Sequence, residues 1–205
     1  MAQAISLAKE LNDTHGLAAA LLWATILGHL ERSPAKVARL ASDLIELSTR
    51  QNFAFWLPAA EILRGWARSF SGSAPEGTAW IEDGIRNYRA TGSMLRMPYY
   101  LALKAESLYV VDRVSEALEA IRQAEVWVER SEERWSSAEL HRLRGVILAA
   151  LGAEETQIEA SLCEAIRIVR EQKSVSLEKR AEATYAEYRR QKASAAGGHG
   201  FRIPL

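Results

Sequence analysis

Apolar residues recur at three- and four-residue spacing along nearly the whole chain, the pattern of amphipathic α-helices. Between positions 114 and 128, Val114, Ala117, Leu118, Ile121, Ala124 and Val128 fall largely on one stripe, and Glu116, Glu119, Arg122, Gln123 and Glu125 lie opposite. No useful length of sequence shows the strict alternation of a strand. The pattern predicts about ten helices, over 2–11, 14–31, 34–50, 55–70, 75–90, 97–111, 114–130, 134–151, 155–172 and 175–191. Breakers stand between them: Ser33-Pro34, Gly72-Ser73-Ala74-Pro75, Thr91-Gly92-Ser93 and Leu151-Gly152. Pro34 and Pro75 suit a first helical turn, where the missing N–H has no partner to lose. The expected fold class is therefore all-α.

Small residues add a second periodicity. Gly65, Ala105 and Gly145 stand 40 apart, each in the middle of the first helix of a pair. Gly65 is followed by Gly77 and Gly84, and Ala105 by Ala117 and Ala124, at the same steps of 12 and 7. Helices whose axes approach to about 8–10 Å need small side chains at the contact. These offsets resemble the tetratricopeptide repeat, lengthened from its usual 34-residue period. A fourth copy (Gly145, Ile158, Ala165) runs one residue late, and a first (Thr25, Val37, Leu44) keeps the spacing with larger residues. The resemblance implies a right-handed α-solenoid of about four tetratricopeptide-like helix pairs over 1–192, with a terminal capping helix and a flexible C-terminal tail at 193–205.

Helix 2–11 reads as the second member of a preceding pair, so the N-terminal end looks uncapped. Phe201-Arg-Ile-Pro-Leu205 ends the Gly-rich tail as an island that could dock on the body.

Three segments carry a narrower likeness: Phe55-Trp-Leu-Pro-Ala-Ala-Glu-Ile-Leu-Arg-Gly-Trp-Ala67, Tyr88-Arg-Ala-Thr-Gly92 with Pro98-Tyr-Tyr-Leu-Ala-Leu103, and Glu133-Arg-Trp-Ser-Ser-Ala-Glu-Leu-His-Arg-Leu-Arg-Gly145. Over roughly residues 14–190 the chain resembles the C-terminal helical region of large bacterial signalling proteins. In these, a class III adenylate/guanylate cyclase domain or a DNA-binding domain is joined to an ATPase. The resemblance implies a non-catalytic protein–protein interaction or ligand-sensing scaffold, a cytoplasmic setting, and partners that include upstream domains of the same polypeptide. The alternatives are a fragment of an adenylate cyclase whose catalytic domain lies outside this chain, or the sensor arm of a transcriptional regulator.

In tetratricopeptide arrays the first helices of the pairs line a concave groove. The corresponding positions nominate Trp66, Tyr99, Glu106, Tyr109, Glu139 and Arg142 as a mixed aromatic and charged surface for a protein or peptide.

Composition narrows the chemistry. The 205 residues carry 26 Lys+Arg against 26 Asp+Glu, which gives no global attraction to nucleic acid or anionic membrane. The longest apolar stretch, 17–30, is interrupted by Thr25, Gly28 and His29, and the N-terminus lacks a signal-peptide order. A single cysteine, Cys163, excludes an intrachain disulfide and a multi-cysteine zinc site and points to a reducing compartment. Its neighbours suggest a buried small hydrophobe, and the six tryptophans read mainly as core. His15, His29, His141 and His199 show no metal-ligand spacing, and His141 reads as a packing histidine. No phosphate-binding loop occurs. No catalytic residue, cofactor or metal is expected, and the basic cluster of the last helix, broken by glutamates, is expected to be a solvated face.

Overall fold

The amphipathic pattern becomes ten helices among the described residues of the computed structural model, 1–194 and 202–205: α1 (Ala2–Glu10), α2 (Thr14–Leu30), α3 (Pro34–Gln51), α4 (Trp56–Ser69), α5 (Ala74–Ala90), α6 (Met97–Val110), α7 (Val114–Ser131), α8 (Ser137–Ala150), α9 (Glu155–Glu171) and α10 (Val175–Ser194). No strand occurs among these residues. The chain is all-α. Helix ends agree with expectation to within three residues. The expected tail at 193–205 divides three ways: 193–194 extend α10, 195–201 lie outside the described residues, and 202–205 pack on the body.

Backbone geometry shows a regularity that the residue types conceal. Left-handed residues occur at Asn12, Arg32, Asn52, Gly72, Gly92, Asp112, Glu132, Gly152 and Lys173, in each connection between helices, and Arg96 adds a second left-handed residue between α5 and α6. Eight of the first nine stand at a strict step of 20 residues, and the last step is 21. The extra residue falls inside the interval where the small-residue pattern also slips.

Six of the helices are stopped in the same way. The left-handed Arg32 donates its N–H to the His29 carbonyl at 2.8 Å, and Ser33 donates to Gly28 at 3.0 Å. Asn12 and Asp13, Asp112 and Arg113, Gly152 and Ala153, and Lys173 and Ser174 repeat this pair of bonds, which satisfies carbonyls left open at a helix end. Left-handed backbone costs a non-glycine residue about 1–2 kcal/mol, so Lys173→Gly is expected to stabilise the protein by about 1 kcal/mol once glycine's extra unfolded-state entropy is subtracted. Urea unfolding would check this.

Packing divides the chain into two units, Met1–Leu95 and Arg96–Leu205. In the first, α1 packs on α2, α2 on α3, α3 on α4, α4 on α5, and α2 also on α4. In the second, α6 packs on α7, α7 on α8, α8 on α9, and α10 on both α8 and α9, while α6 and α8 touch as well. Each unit is thus made of helix pairs joined side by side, with the first helices of successive pairs in contact. The buried stripes are continuous: Leu22, Ile26, Val37, Leu44, Ile62, Leu63, Trp66 and Ile81 in the first unit, and Met97, Tyr100, Leu103, Ile121, Leu143, Ile147 and Leu162 in the second. Burying each such side chain contributes about 1.5–3 kcal/mol against exposure.

The small residues sit where helices come closest. A methyl group on Gly65 would lie 2.9 Å from both the Gly77 carbonyl oxygen and the Ile81 nitrogen, and one on Gly77 would lie 2.5 Å from the Gly65 carbonyl oxygen. On Gly84 it would meet the Ile62 side chain at 2.7 Å. Ala105, Ala117, Ala124 and Ala165 have no exposed surface. A methyl group on Gly145, by contrast, would first meet the Leu162 side chain. The nominated glycines thus stand against a neighbouring helix, and the nominated alanines are fully buried.

Two expectations are corrected. Cys163 is exposed, because it falls off the buried stripe of α9 formed by Ile158, Ser161, Leu162, Ala165 and Val169. Only Trp66 of the six tryptophans is fully buried, and Trp23 and Trp135 are 41% and 36% exposed.

Charge is balanced locally along the surface. Arg39 pairs with Asp43, Arg86 with Asp83, Arg113 with Glu116, Arg167 with Glu164 and Glu171, and Arg190 with Glu187. These are helix pairs three or four residues apart, which add little each but leave no long single-signed face.

Candidate functional site

In the second unit α8 lies between α6 and α10 and touches both. Five of the six nominated groove residues belong here: Tyr99, Glu106 and Tyr109 on α6, and Glu139 and Arg142 on α8. All five are buried, with exposures between 1% and 8%. Trp66 is separate from them. It lies in the first unit, fully buried, with the His29 ring edge-on at 4.6 Å, Phe70 at 4.8 Å and the Arg32 guanidinium over its face at 5.2 Å. These side chains do not form an open wall. Tyr99, Tyr109, Glu139 and Arg142 are each covered by a specific neighbour.

Tyr99 is covered by an aromatic neighbour, its ring centroid 5.0 Å from that of Trp135. Glu139 and Arg142 are covered by α10. Arg142 Nε donates to Glu139 Oε1, and Arg142 Nη1 donates to Thr184 Oγ1 at 3.4 Å. Arg180 Nη1 donates to Glu139 Oε2 at 3.2 Å, and the Thr184 hydroxyl donates to the Arg180 carbonyl at 2.9 Å. One carboxylate is held between two guanidinium groups from two helices. Burial pushes the Glu139 carboxyl up, but Arg142 and Arg180 together outweigh it, with Glu106 opposing them, and the net direction is down. Glu139 is thus a carboxylate at neutral pH, although it is almost wholly buried.

Arg180 was expected on a solvated basic face. Instead it is mostly buried and points at Glu139. Three other members of the basic cluster are occupied on the surface: the Arg189 guanidinium lies 5.8 Å from the Tyr185 ring, Arg190 pairs with Glu187, and Lys192 pairs with Glu155. His141, also on α8, is held below the usual histidine range by burial, against the pull of Glu125 and Glu164.

Tyr109 is covered by the chain's own C-terminal residues. Its phenolic O–H donates to the Ile203 carbonyl at 3.0 Å, and Ile203 is 1% exposed. The Arg202 guanidinium lies over the Tyr109 ring at 4.8 Å, donates to the Tyr109 carbonyl, and pairs with the Asp112 carboxylate at 3.2 Å. From α10, Gln191 Nε2 donates to the Arg202 carbonyl at 3.1 Å. Burial raises the Tyr109 pKa and Arg202 opposes that rise, so the phenol stays protonated and able to donate. Arg202 also sits at the C-terminal end of α6, where helix carbonyls and the macrodipole favour a cation.

Sequence reasoning expected the segment of Arg202 and Ile203 to dock, but missed its partners Tyr109, Asp112 and Gln191, and missed Arg180 and Thr184 in the buried cluster. The basic–apolar island after the glycines was the available signal for the tail. For Asp112 the signal is positional, since it stands at the same step as Gly72 and Gly152. Among the described residues no group of three or more His, Cys, Asp and Glu could hold a metal ion, and His199 lies outside them. No helix among the described residues is long and apolar enough to cross a membrane.

No family model matches the chain. It is similar to a protein of Rhizobium meliloti (strain 1021) that bears the name Uncharacterized protein R02095, with 27% identity over 126 residues. The match takes in 62% of this chain and 12% of that much longer protein.

Proposed function

We propose that this chain is a non-catalytic binding arm built from tetratricopeptide-like helix pairs, of the kind that serves a bacterial cyclase- or ATPase-type signalling protein. Within each unit, successive pairs stand side by side with their first helices in contact, and the small residues lie at the closest approaches. The uniform 20-residue step of the helix stops supports the repeat reading. So does the 40-residue period of the small residues.

The observation that carries the binding role is the seated peptide. Side chains of α6 and α10 donate to two successive main-chain carbonyls of an extended segment, at Arg202 and Ile203. Donation to carbonyls gives affinity for any backbone, and flanking pockets supply selectivity. The similarity to a small part of a far longer protein supports the reading of an arm, with partners that include other domains of the same polypeptide.

The test is photo-crosslinking in a bacterial cell, with a benzophenone amino acid placed at the half-exposed position of Trp135. The expected adduct contains a cyclase, ATPase or DNA-binding domain, identified by mass spectrometry. Adducts free of every such domain overturn the reading. Incubation of the pure chain with ATP and magnesium is expected to yield neither cyclic AMP nor ADP above a protein-free control.

A further inference from the structure

The C-terminal residues occupy their place in a way that surface packing alone does not require. Arg202 makes three different contacts within one small region: its guanidinium faces the Tyr109 ring, bonds the Tyr109 carbonyl and pairs with Asp112. Ile203, next in sequence, is buried to 1% exposure, and its carbonyl is taken by the Tyr109 phenol. Gln191 takes the carbonyl of Arg202 from the opposite side, so the segment spans from α10 to α6 with α8 between them. Pro204 is exposed and Leu205 half-buried. A charged fork, a buried aliphatic anchor and two bonded main-chain carbonyls are the elements by which a domain recognises a short linear peptide.

We infer that Tyr109, Asp112 and Gln191 form a recognition site for an extended peptide with an arginine followed by an aliphatic residue, and that Arg202–Leu205 is its resident occupant in cis. The inference rests on the binding-arm reading and adds to it the class of ligand and the means of control. A tethered occupant acts at an effective concentration on the order of millimolar. A partner peptide of the same chemistry therefore binds in competition with the tail. Its apparent affinity is lowered by the fraction of sites that the tail holds. Asp112 sets the preference for arginine, because its carboxylate meets the guanidinium at the end of α6. Tyr109 has two roles, ring under the cation and hydroxyl to the next carbonyl.

The experiment uses the full chain and a fluorescein-labelled peptide Gly-Phe-Arg-Ile-Pro-Leu with a free C-terminus, read by fluorescence polarisation. The variant Ile203→Asp removes the anchor of the resident tail. It is expected to bind the peptide at least tenfold more tightly than wild type. Within that variant, Asp112→Asn keeps a side chain that tolerates left-handed backbone, and Tyr109→Phe keeps the ring. Tyr109→Phe is expected to weaken binding by fivefold or more, and Asp112→Asn, whose ion pair is largely exposed, by about two- to fivefold. A peptide with alanine for arginine loses all three guanidinium contacts and should bind more weakly than Asp112→Asn makes it.

Circular dichroism confirms that each variant is helical. Should Ile203→Asp not fold, Arg202→Ala, which leaves the buried isoleucine in place, takes its role with the same expected direction. A folded variant that binds the peptide no better than the scrambled Pro-Leu-Phe-Gly-Ile-Arg overturns the inference and makes the tail a structural strap. That outcome leaves the crosslinking result untouched, so failure of this site and failure of the binding-arm reading are distinguishable.

Discussion

Arg142→Met is expected to cost the protein about 3–5 kcal/mol of stability, the usual loss when one member of a buried ion pair is removed. The side chains of Arg142 and Glu139 are 2% and 9% exposed, so the stranded carboxylate has little water to turn to. Arg180 alone remains to compensate it, from a position still partly in contact with solvent. The same change takes a hydrogen-bond donor from Thr184 and loosens the attachment of α10. Replacing both partners, Glu139→Leu with Arg142→Met, should recover much of the loss, because an apolar pair requires no desolvation of charge. Urea unfolding at pH 7 followed by circular dichroism would measure both. An Arg142→Met variant within 1 kcal/mol of wild type would show that the cluster contributes little.

The pair also has a pH signature. Glu139 is held below the usual glutamate range in the folded protein, so the unfolded chain binds a proton more readily. Its contribution is therefore complete above the unfolded pKa of about 4.3 and is lost as pH falls through the folded value. Wild type should lose stability below about pH 4.5 more steeply than Arg142→Met, in which Arg180 alone holds the carboxyl down against its burial. Equal slopes would remove the assignment.

Gly77→Ala is the second large effect, with an expected net destabilisation of about 2 kcal/mol. Alanine in a helix interior is favoured over glycine by about 1 kcal/mol. Against that, the new methyl group would sit 2.5 Å from the Gly65 carbonyl oxygen and press on the Ser69 backbone nitrogen. Backbone cannot rotate aside, so α4 and α5 must move apart, and overpacking of this kind costs about 1–3 kcal/mol or more. Gly145→Ala provides the contrast, since its methyl group meets the Leu162 side chain, at Cγ and Cδ2, and no backbone atom as closely. That substitution should lie within about 0.5 kcal/mol of wild type, helix propensity offsetting the small repacking. Comparable losses at the two sites would mean that small residues are not selected by close approach.

The fold was largely legible because local rules decide it. Apolar spacing set the ten helices, and Ser33-Pro34, Gly72 and Gly152 marked their ends. The uniform 20-residue step was only half visible, since Gly72, Gly92 and Gly152 signal left-handed backbone while Arg32, Asp112, Glu132 and Lys173 do not. Those residues adopt the conformation because their flanking helices are held in place by packing, and the strain is carried by the whole. Cys163 was misplaced for a related reason. Its apolar neighbours in sequence lie on both edges of the α9 stripe, and a shift of one position along a helix turns a side chain by 100°.

The nominated groove residues were chosen by register, and register is a property that a sequence holds. It placed Tyr109 on the helix that became α6, and Glu139 and Arg142 on the one that became α8. What covers those residues is not a local property. The cover over Glu139 and Arg142 comes from Arg180 and Thr184 respectively, about 40 residues away, and that over Tyr109 from Ile203, more than 90 residues away. The helices and the stops marked by glycine or proline follow from interactions within a few residues, so the sequence alone determined them. The buried carboxylate and the seated C-terminus depend on α8 being flanked by α6 and α10. Only the tertiary structure could decide them, because such long-range pairings leave no periodicity to read.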